Sequence, residues 1–136
     1  FWQGMSKLKD ANDRAEKVLE QIGLTSRRNT PAGVLSYAEQ RALEIGVTVA
    51  GGADVILLDE PTAGMSRSES DAAVNLIRNV SKDKTLIVVE HDMGVVFGLA
   101  DRISVLVYGE IIATGTPTEI RANKKVQEAY LGTEHV

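Results

Sequence analysis

Apolar residues recur at helical spacing in the first part of the chain. Within residues 6–22 they fall three and four positions apart, so they share one face of a predicted helix. The predicted inward residues are Leu8, Ala11, Ala15, Val18, Leu19 and Ile22. Gly23 follows at the position where a glycine commonly ends a helix. Residues 25–31 are polar and carry turn chemistry, which predicts a loop before the next element.

Two later helices are predicted to begin at capping boxes, in which a serine precedes a glutamate by three positions. Ser36 and Glu39 form the first box, and two glycines at residues 51–52 end that helix. Ser66 and Glu69 form the second box. Each helix is predicted to bury one face, with inward residues Ala42, Leu43, Ile45, Val49 and Ala50 in the first and Ala72, Ala73, Leu76, Ile77 and Val80 in the second.

Two continuous apolar runs predict strands that are covered on both faces, as in parallel sheets flanked by helices. Residues 55–58 form the first run, which ends at Asp59 and Glu60. Residues 85–89 form the second, which is followed closely by His91. A helix between two such strands implies a right-handed crossover and parallel pairing. The crossover therefore brings His91 to the edge of the sheet that carries Asp59 and Glu60.

The last third of the chain predicts a short helix followed by a hairpin. Asp92 is suited to cap a helix over residues 93–100. Residues 103–108 and 111–114 read as antiparallel strands joined by a tight turn at residues 109–110.

The closing helices are predicted to begin where a threonine cap precedes a proline at the first helical position and an acid at the third. These residues are Thr116, Pro117 and Glu119. The predicted inward residues of the closing helices are Ile120, Val126, Tyr130 and Leu131. Together the elements predict an α/β protein with parallel strands flanked by helices.

Composition narrows the class of protein. The chain has 136 residues, which suffices for one core, and 43% apolar with 25% charged residues is typical of a globular protein. A formal net charge of -4 gives no electrostatic reason to expect nucleic acid as a partner. The absence of cysteine excludes disulfides and thiolate metal sites. No apolar run approaches the length of a membrane span. The first residue is Phe1 rather than methionine, so we expect a piece of a longer chain.

By residue type alone, Asp59 and Glu60 have two interpretations. They could be the solvated end of a strand, or they could handle a metal and a phosphate, because ligands in such sheets bind beyond the carboxyl ends of the strands.

Three segments in order decide between them: LSYAEQR at residues 35–41, VILLDEPTAG at residues 55–64 and IVVEHD at residues 87–92. In this order they resemble the ATP-binding subunits of ABC transporters. The resemblance covers essentially the whole chain and favours the functional interpretation of the two acids.

The resemblance implies part of a RecA-like P-loop NTPase core. Residues 1–52 would be part of the α-helical signature subdomain, and residues 53–136 the C-terminal part of the ATPase core. The chain has no GxxxxGK[ST] phosphate loop, so the phosphate-loop strand of the family is absent. We therefore expect these 136 residues alone to bind Mg-ATP poorly and to hydrolyse almost none.

The resemblance also implies roles for individual residues, with ATP and Mg²⁺ as the cofactors of the complete subunit. Asp59 would hold Mg²⁺ through water, Glu60 would orient or deprotonate the attacking water, and His91 would contact the γ-phosphate. The nucleotide-binding residues carried over from the signature and the D-loop are Ser36, Tyr37, Ala38, Glu39, Gln40, Ala63, Gly64 and Ser66. Ala38 stands where the signature usually has a glycine, and Ser66 where the D-loop usually has an aspartate.

Within the family, the chain looks most like subunits of branched-chain amino-acid importers. Tyr37, the EHDM segment at residues 90–93 and the AYLG segment at residues 129–132 carry this similarity. Urea importers and the lipopolysaccharide-export ATPase have similar endings, and a non-catalytic binding fragment is a further alternative.

Partners implied by the resemblance are a second ATP-binding subunit, identical or not, and the membrane permease subunits. Nucleic acid is not among them. The complete subunit would then be cytoplasmic and peripheral on the inner face of the membrane. Without the phosphate-loop strand we also expect self-association through the apolar edge it leaves.

Overall fold

The structure is a computed structural model that describes the backbone of residues 2–131 and the side chains of residues 9–130. Two short 3₁₀ turns, Thr25–Arg27 and Ala32–Val34, precede the second helix. The helices and strands are α1 Trp2–Gln21, α2 Tyr37–Ala50, β1 Val55–Asp59, α3 Arg67–Val80, β2 Thr85–Val89, α4 Met93–Leu99, β3 Ile103–Val107, β4 Glu110–Gly115, α5 Pro117–Ala122 and α6 Lys124–Leu131. Every predicted helix and strand is confirmed.

The chain divides into two compact units, Phe1–His91 and Asp92–Val136. The predicted boundary at residue 52 concerns subdomains of the family and stays a prediction. Within residues 2–131, none of the helices has both the length and the apolar character needed to cross a bilayer.

Helix α1 ends at the predicted glycine. Gly23 has a φ of 72°, and its N–H donates to the Glu20 carbonyl oxygen at 3.1 Å. The N–H of Leu24 reaches back to the Leu19 carbonyl oxygen at 2.8 Å, and the Leu24 side chain is buried. This pair of bonds is a Schellman motif, which satisfies carbonyl groups left open at the helix end.

Helices α2 and α3 both begin at the predicted capping boxes. The Glu39 N–H donates to Ser36 Oγ at 3.3 Å, and the Ser36 N–H donates to Glu39 Oε2 at 2.8 Å. In the second box the Glu69 N–H donates to Ser66 Oγ at 3.4 Å, and the Ser66 N–H donates to Glu69 Oε2 at 2.8 Å. These contacts span only three residues, so the local sequence is sufficient to specify them.

Most of the predicted inward residues of the helices are buried or half-buried. Buried residues are Ile22, Ile45, Ala73, Ile77, Val80, Ile120 and Val126, and half-buried ones are Val18, Leu19, Ala42, Leu43, Val49 and Leu76. The prediction is wrong for Ala11, Ala15, Ala50, Ala72 and Tyr130, which are exposed. The four alanines present little apolar surface, so leaving them exposed costs little free energy. The side chains of Leu8 and Leu131 lie outside the described residues.

Strands β1 and β2 pair in parallel, as predicted, with Asp59 opposite Val89. The prediction that both faces of this pair are covered is wrong for the part of the chain described. Ile56 is 1% exposed, but the other face carries exposed apolar side chains: Val55, Leu57, Ile87 and Val89. Side chains alternate along a strand, so helices packed on one face leave the opposite face open.

The second unit contains the antiparallel hairpin of β3 and β4. Its two-residue turn is Tyr108 and Gly109, both with positive φ, rather than the predicted residues 109–110. Glu110 instead belongs to β4 and pairs with Val107. Positive φ at both turn positions is the geometry of the commonest tight hairpins. The core of this unit is formed by Ile103, Ile120 and Val126.

The cap of α5 predicts how stability depends on pH. Hydrogen bonds from the Thr116 N–H and hydroxyl, with a smaller contribution from Arg102, hold the pKa of Glu119 below its ordinary value of 4.5. A lowered pKa in the folded state stabilises the fold above the unfolded value, and this stabilisation is lost as the pH falls through the folded value. We expect Glu119→Gln to lower the urea midpoint at neutral pH. The gap in urea midpoint between the unsubstituted protein and Glu119→Gln should shrink as the pH falls below the lowered pKa of Glu119. A gap that does not change with pH would contradict this.

Candidate functional site

The site is assembled where β1 and β2 end. Asp59 is the last residue of β1, and the N–H of Glu60 donates to the Val89 carbonyl oxygen at 2.8 Å. Glu60 has a φ of 43°, a left-handed conformation that is uncommon for residues other than glycine. The Ala63 N–H donates to the Glu60 carbonyl oxygen at 3.1 Å. Bonds on both sides of Glu60 therefore hold the turn that directs its side chain.

Glu60 and His91 lie together, as the parallel crossover predicts. His91 Nδ1 is 3.4 Å from Glu60 Oε1, and the two side chains are 52% and 75% exposed. A carboxylate and an imidazole this close can both contact a water or a substrate oxygen that lies against them, and each can exchange a proton with it. Their exposure leaves room for such a ligand.

Asp59 is exposed and lines a cavity of about 180 Å³ together with Arg41 and Leu57. Within the described residues, no group of three or more His, Cys, Asp or Glu side chains could hold a metal. Mg²⁺ in phosphate-handling sites usually takes one or two carboxylates, with water and substrate phosphates completing its shell. The single carboxylate of Asp59 fits that pattern.

The predicted signature segment contacts the loop that follows Glu60. The Tyr37 hydroxyl donates to the Ala63 carbonyl oxygen at 2.9 Å, and Arg41 Nε donates to the Tyr37 hydroxyl at 3.2 Å. Gly64 has a φ of 75°, and a Cβ there would lie 3.7 Å from the Tyr37 ring. Three residues of the predicted nucleotide-binding set, Tyr37, Ala63 and Gly64, are thus brought together.

The other signature residues make local contacts. Gln40 Nε2 donates to the Leu35 carbonyl oxygen at 3.0 Å. The pKa of Glu39 is lowered chiefly by the Ser36 N–H and then by Arg27, whose Nε lies 2.8 Å from Glu39 Oε1. No hydrogen bond or ion pair in the described part of the chain joins Ser36, Ala38 or Ser66 to the group formed by Asp59, Glu60 and His91.

Glu90 is a residue whose contacts sequence reasoning missed. Its side chain is 1% exposed, and its carboxylate accepts hydrogen bonds from Thr62 and from the His91 N–H. The apolar run before it gave no signal in the sequence, whereas in the folded strand Leu86 and Val88 are half-buried and Thr85, Ile87 and Val89 are exposed. Continued by one step, this alternation places Glu90 on the inner side.

Two families match the chain. Residues 3–63 match the family described as ABC transporter, and residues 110–136 match the family described as branched-chain amino acid ATP-binding cassette transporter.

The curated relatives are similar over most of the chain. The high-affinity branched-chain amino acid transport ATP-binding protein LivG of Salmonella typhimurium is 42% identical over 90% of this chain and 49% of its own length. The corresponding protein BraF of Pseudomonas aeruginosa is 38% identical over 91% of this chain and 49% of its own length. The chain thus spans about half the length of these relatives.

Solved structures agree on the fold. The ADP conformation of MJ1267, an ATP-binding cassette of an ABC transporter, superposes with a TM-score of 0.79 at 28% identity, covering 90% of this chain and 50% of that one. CbiO1 from Clostridium perfringens, part of the ABC transporter complex cbiONQ, superposes with a TM-score of 0.77 at 25% identity. The match covers 91% of this chain and 50% of that one. The described strands and helices are thus those of an ABC ATPase core, as predicted.

Proposed function

The chain belongs to the ABC transporter family of ATP-binding proteins, and from that membership we propose that the complete protein hydrolyses ATP to drive the import of branched-chain amino acids. The observation that carries the ATPase part is the pairing of Glu60 with His91, 3.4 Å apart, at the end of the strand that Asp59 terminates. The match of residues 110–136 to the branched-chain amino acid family supports the substrate.

Phosphoryl transfer to water depends on positioning and charge stabilisation rather than on covalent chemistry by the protein. In the proposed mechanism Glu60 orients the attacking water and accepts its proton. His91 contacts the γ-phosphate from the neighbouring strand. Asp59 would hold Mg²⁺ through water, and the ion would supply positive charge against the phosphates.

The signature and D-loop residues are proposed to serve a nucleotide shared with a second ATP-binding subunit. Ser36 and the N–H of Ala38 stand at the start of α2, where the helix dipole favours an anion. Tyr37, Glu39 and Gln40 shape that helix start. Ala63, Gly64 and Ser66 are proposed to contact the second subunit.

Further partners follow from the same proposal. Permease subunits in the membrane would anchor the complete protein at the cytoplasmic face, and nucleic acid is not a proposed partner. Among the described strands β2 pairs only with β1, and this open edge supports the proposal that the 136-residue chain associates with itself through that edge when it is alone.

The experiment that tests the function compares phosphate release by the complete protein with that by the 136-residue chain. We expect Mg²⁺-dependent release from the complete protein and background release from the chain, which has no phosphate loop. Vesicles that also contain the permease subunits should take up radiolabelled leucine when ATP is supplied, with ribose as the control solute. A complete protein without ATPase activity would overturn the proposal, and uptake of ribose alone would overturn its substrate.

A further inference from the structure

Glu90 is a buried carboxylate with no role in the mechanism above. Its side chain is 1% exposed, whereas the neighbouring His91 side chain is 75% exposed and that of Glu60 is 52% exposed. Burying a carboxylate is costly unless hydrogen bonds compensate for the lost water. The contacts of Glu90 therefore require an explanation.

The two carboxylate oxygens of Glu90 bond to two different loops. Oε1 accepts from the Thr62 N–H at 3.2 Å and from the Thr62 hydroxyl at 2.5 Å. Oε2 accepts from the His91 N–H at 3.0 Å. Thr62 is itself 7% exposed and lies 28 positions from Glu90 in the chain. One side chain thus ties the loop after β1 to the end of β2.

Both tied loops carry a residue of the proposed reaction. Thr62 follows Glu60 by two positions, and the intervening Pro61 has a restricted φ, so holding Thr62 limits the conformations open to Glu60. The His91 N–H belongs to the residue whose imidazole lies beside Glu60. We propose that Glu90 is a positioning residue that sets the distance between Glu60 and His91 through its bonds to Thr62 and the His91 N–H. This inference rests on the proposed function of Glu60 and His91.

A carboxylate suits this role because both of its oxygens accept hydrogen bonds. Glutamine has nearly the same shape but only one oxygen, so in either orientation its amide group meets the N–H of Thr62 or that of His91. In either orientation Glu90→Gln therefore loses the bond to the Thr62 N–H or the bond to the His91 N–H, with little change in volume. Thr62→Val removes the hydroxyl at similar size from the other side of the same bond, and Thr62→Ser keeps a hydroxyl.

The test uses the complete protein and separates binding from turnover. We expect Glu90→Gln to lower kcat by about 10- to 100-fold, with ATP affinity retained, because misplacing reacting groups affects turnover more than binding. Thr62→Val should act in the same direction, and Thr62→Ser should lose less. The double variant should lose less than the product of the single losses, because both substitutions act on the same hydrogen-bonded group. Glu110→Gln, an exposed acid on β4, is the matched control and should keep wild-type turnover.

Hydrogen exchange of the Thr62 and His91 amides provides a readout without turnover. At least one of the two amides should exchange faster in Glu90→Gln than in Glu110→Gln, because glutamine has one acceptor oxygen where glutamate has two. Wild-type kcat and unchanged exchange in Glu90→Gln would overturn the inference, as would a rise in KM with kcat unchanged. Absence of phosphate release from the unsubstituted complete protein would overturn the proposed function instead, and amide exchange would still decide whether Glu90 holds the two loops. If Glu90→Gln fails to fold, the comparison of Thr62→Val with Thr62→Ser decides the inference.

Discussion

Glu60→Gln in the complete protein is expected to reduce ATP turnover by about 10²- to 10⁴-fold, the usual contribution of a positioned general base, while ATP binding is retained. The amide of glutamine cannot accept the proton of the attacking water, although its shape and hydrogen-bonding reach are nearly those of glutamate. The backbone at residue 60 has a φ of 43°, and glutamine is no worse suited to that conformation than glutamate. The loss should therefore be chemical rather than conformational.

Single-turnover phosphate release and ATP affinity, measured on the same preparation, test this expectation. Glu128→Gln on α6 is a matched control, because its side chain is exposed and lies in the second unit. It should turn over ATP like the unsubstituted protein. Near-normal turnover in Glu60→Gln would remove Glu60 from the catalytic role. Parallel loss of binding and turnover would assign it a structural role instead.

Ile77→Ala is expected to destabilise the fold by about 2–5 kcal/mol, because a large buried aliphatic side chain is replaced by a small one and a cavity remains. Ile77 is 0% exposed and belongs to α3, the helix that connects β1 to β2. Since those strands deliver Asp59 and His91 to one edge, loosening α3 should also lower turnover near the unfolding midpoint.

Urea unfolding of the complete protein checks this effect. Asn79→Ala changes an exposed position on the same helix and should shift stability by less than about 0.5 kcal/mol. Ile77→Val should lie between the two, at about 0.5–1.5 kcal/mol. Equal urea midpoints for Ile77→Ala and Asn79→Ala would contradict the assignment of Ile77 to the core.

Features specified by neighbouring residues were predicted well. The boxes at Ser36 and Ser66 and the glycine end at Gly23 each depend on atoms within five positions along the chain. Propensity and capping operate at that range, so no knowledge of the fold was needed. The hairpin turn, predicted at residues 109–110 and found at Tyr108 and Gly109, is displaced by one position.

Burial was predicted less well, because it depends on what packs against each side chain. Leu57 and Ile87 belong to apolar runs typical of covered strands, yet both are exposed in the described part of the chain. Tyr130 follows the helical spacing but is 46% exposed. Periodicity identifies which residues share a face, whereas neighbouring elements determine whether that face is covered.

Within the site, the sequence was enough to predict which residues reach the end of the sheet. The order of strand, helix and strand was enough to place His91 at the same edge as Glu60, because a crossover between parallel strands brings their carboxyl ends to one edge. The family resemblance was enough to propose roles for Asp59, Glu60 and His91.

Only the folded chain brought the Tyr37 hydroxyl to the Ala63 carbonyl and the Glu90 carboxylate to Thr62, contacts that span 26 and 28 positions. Hydrogen bonds depend on distances of a few tenths of an ångström and on direction. A sequence pattern records which groups are present, whereas packing of the whole unit decides which of them meet.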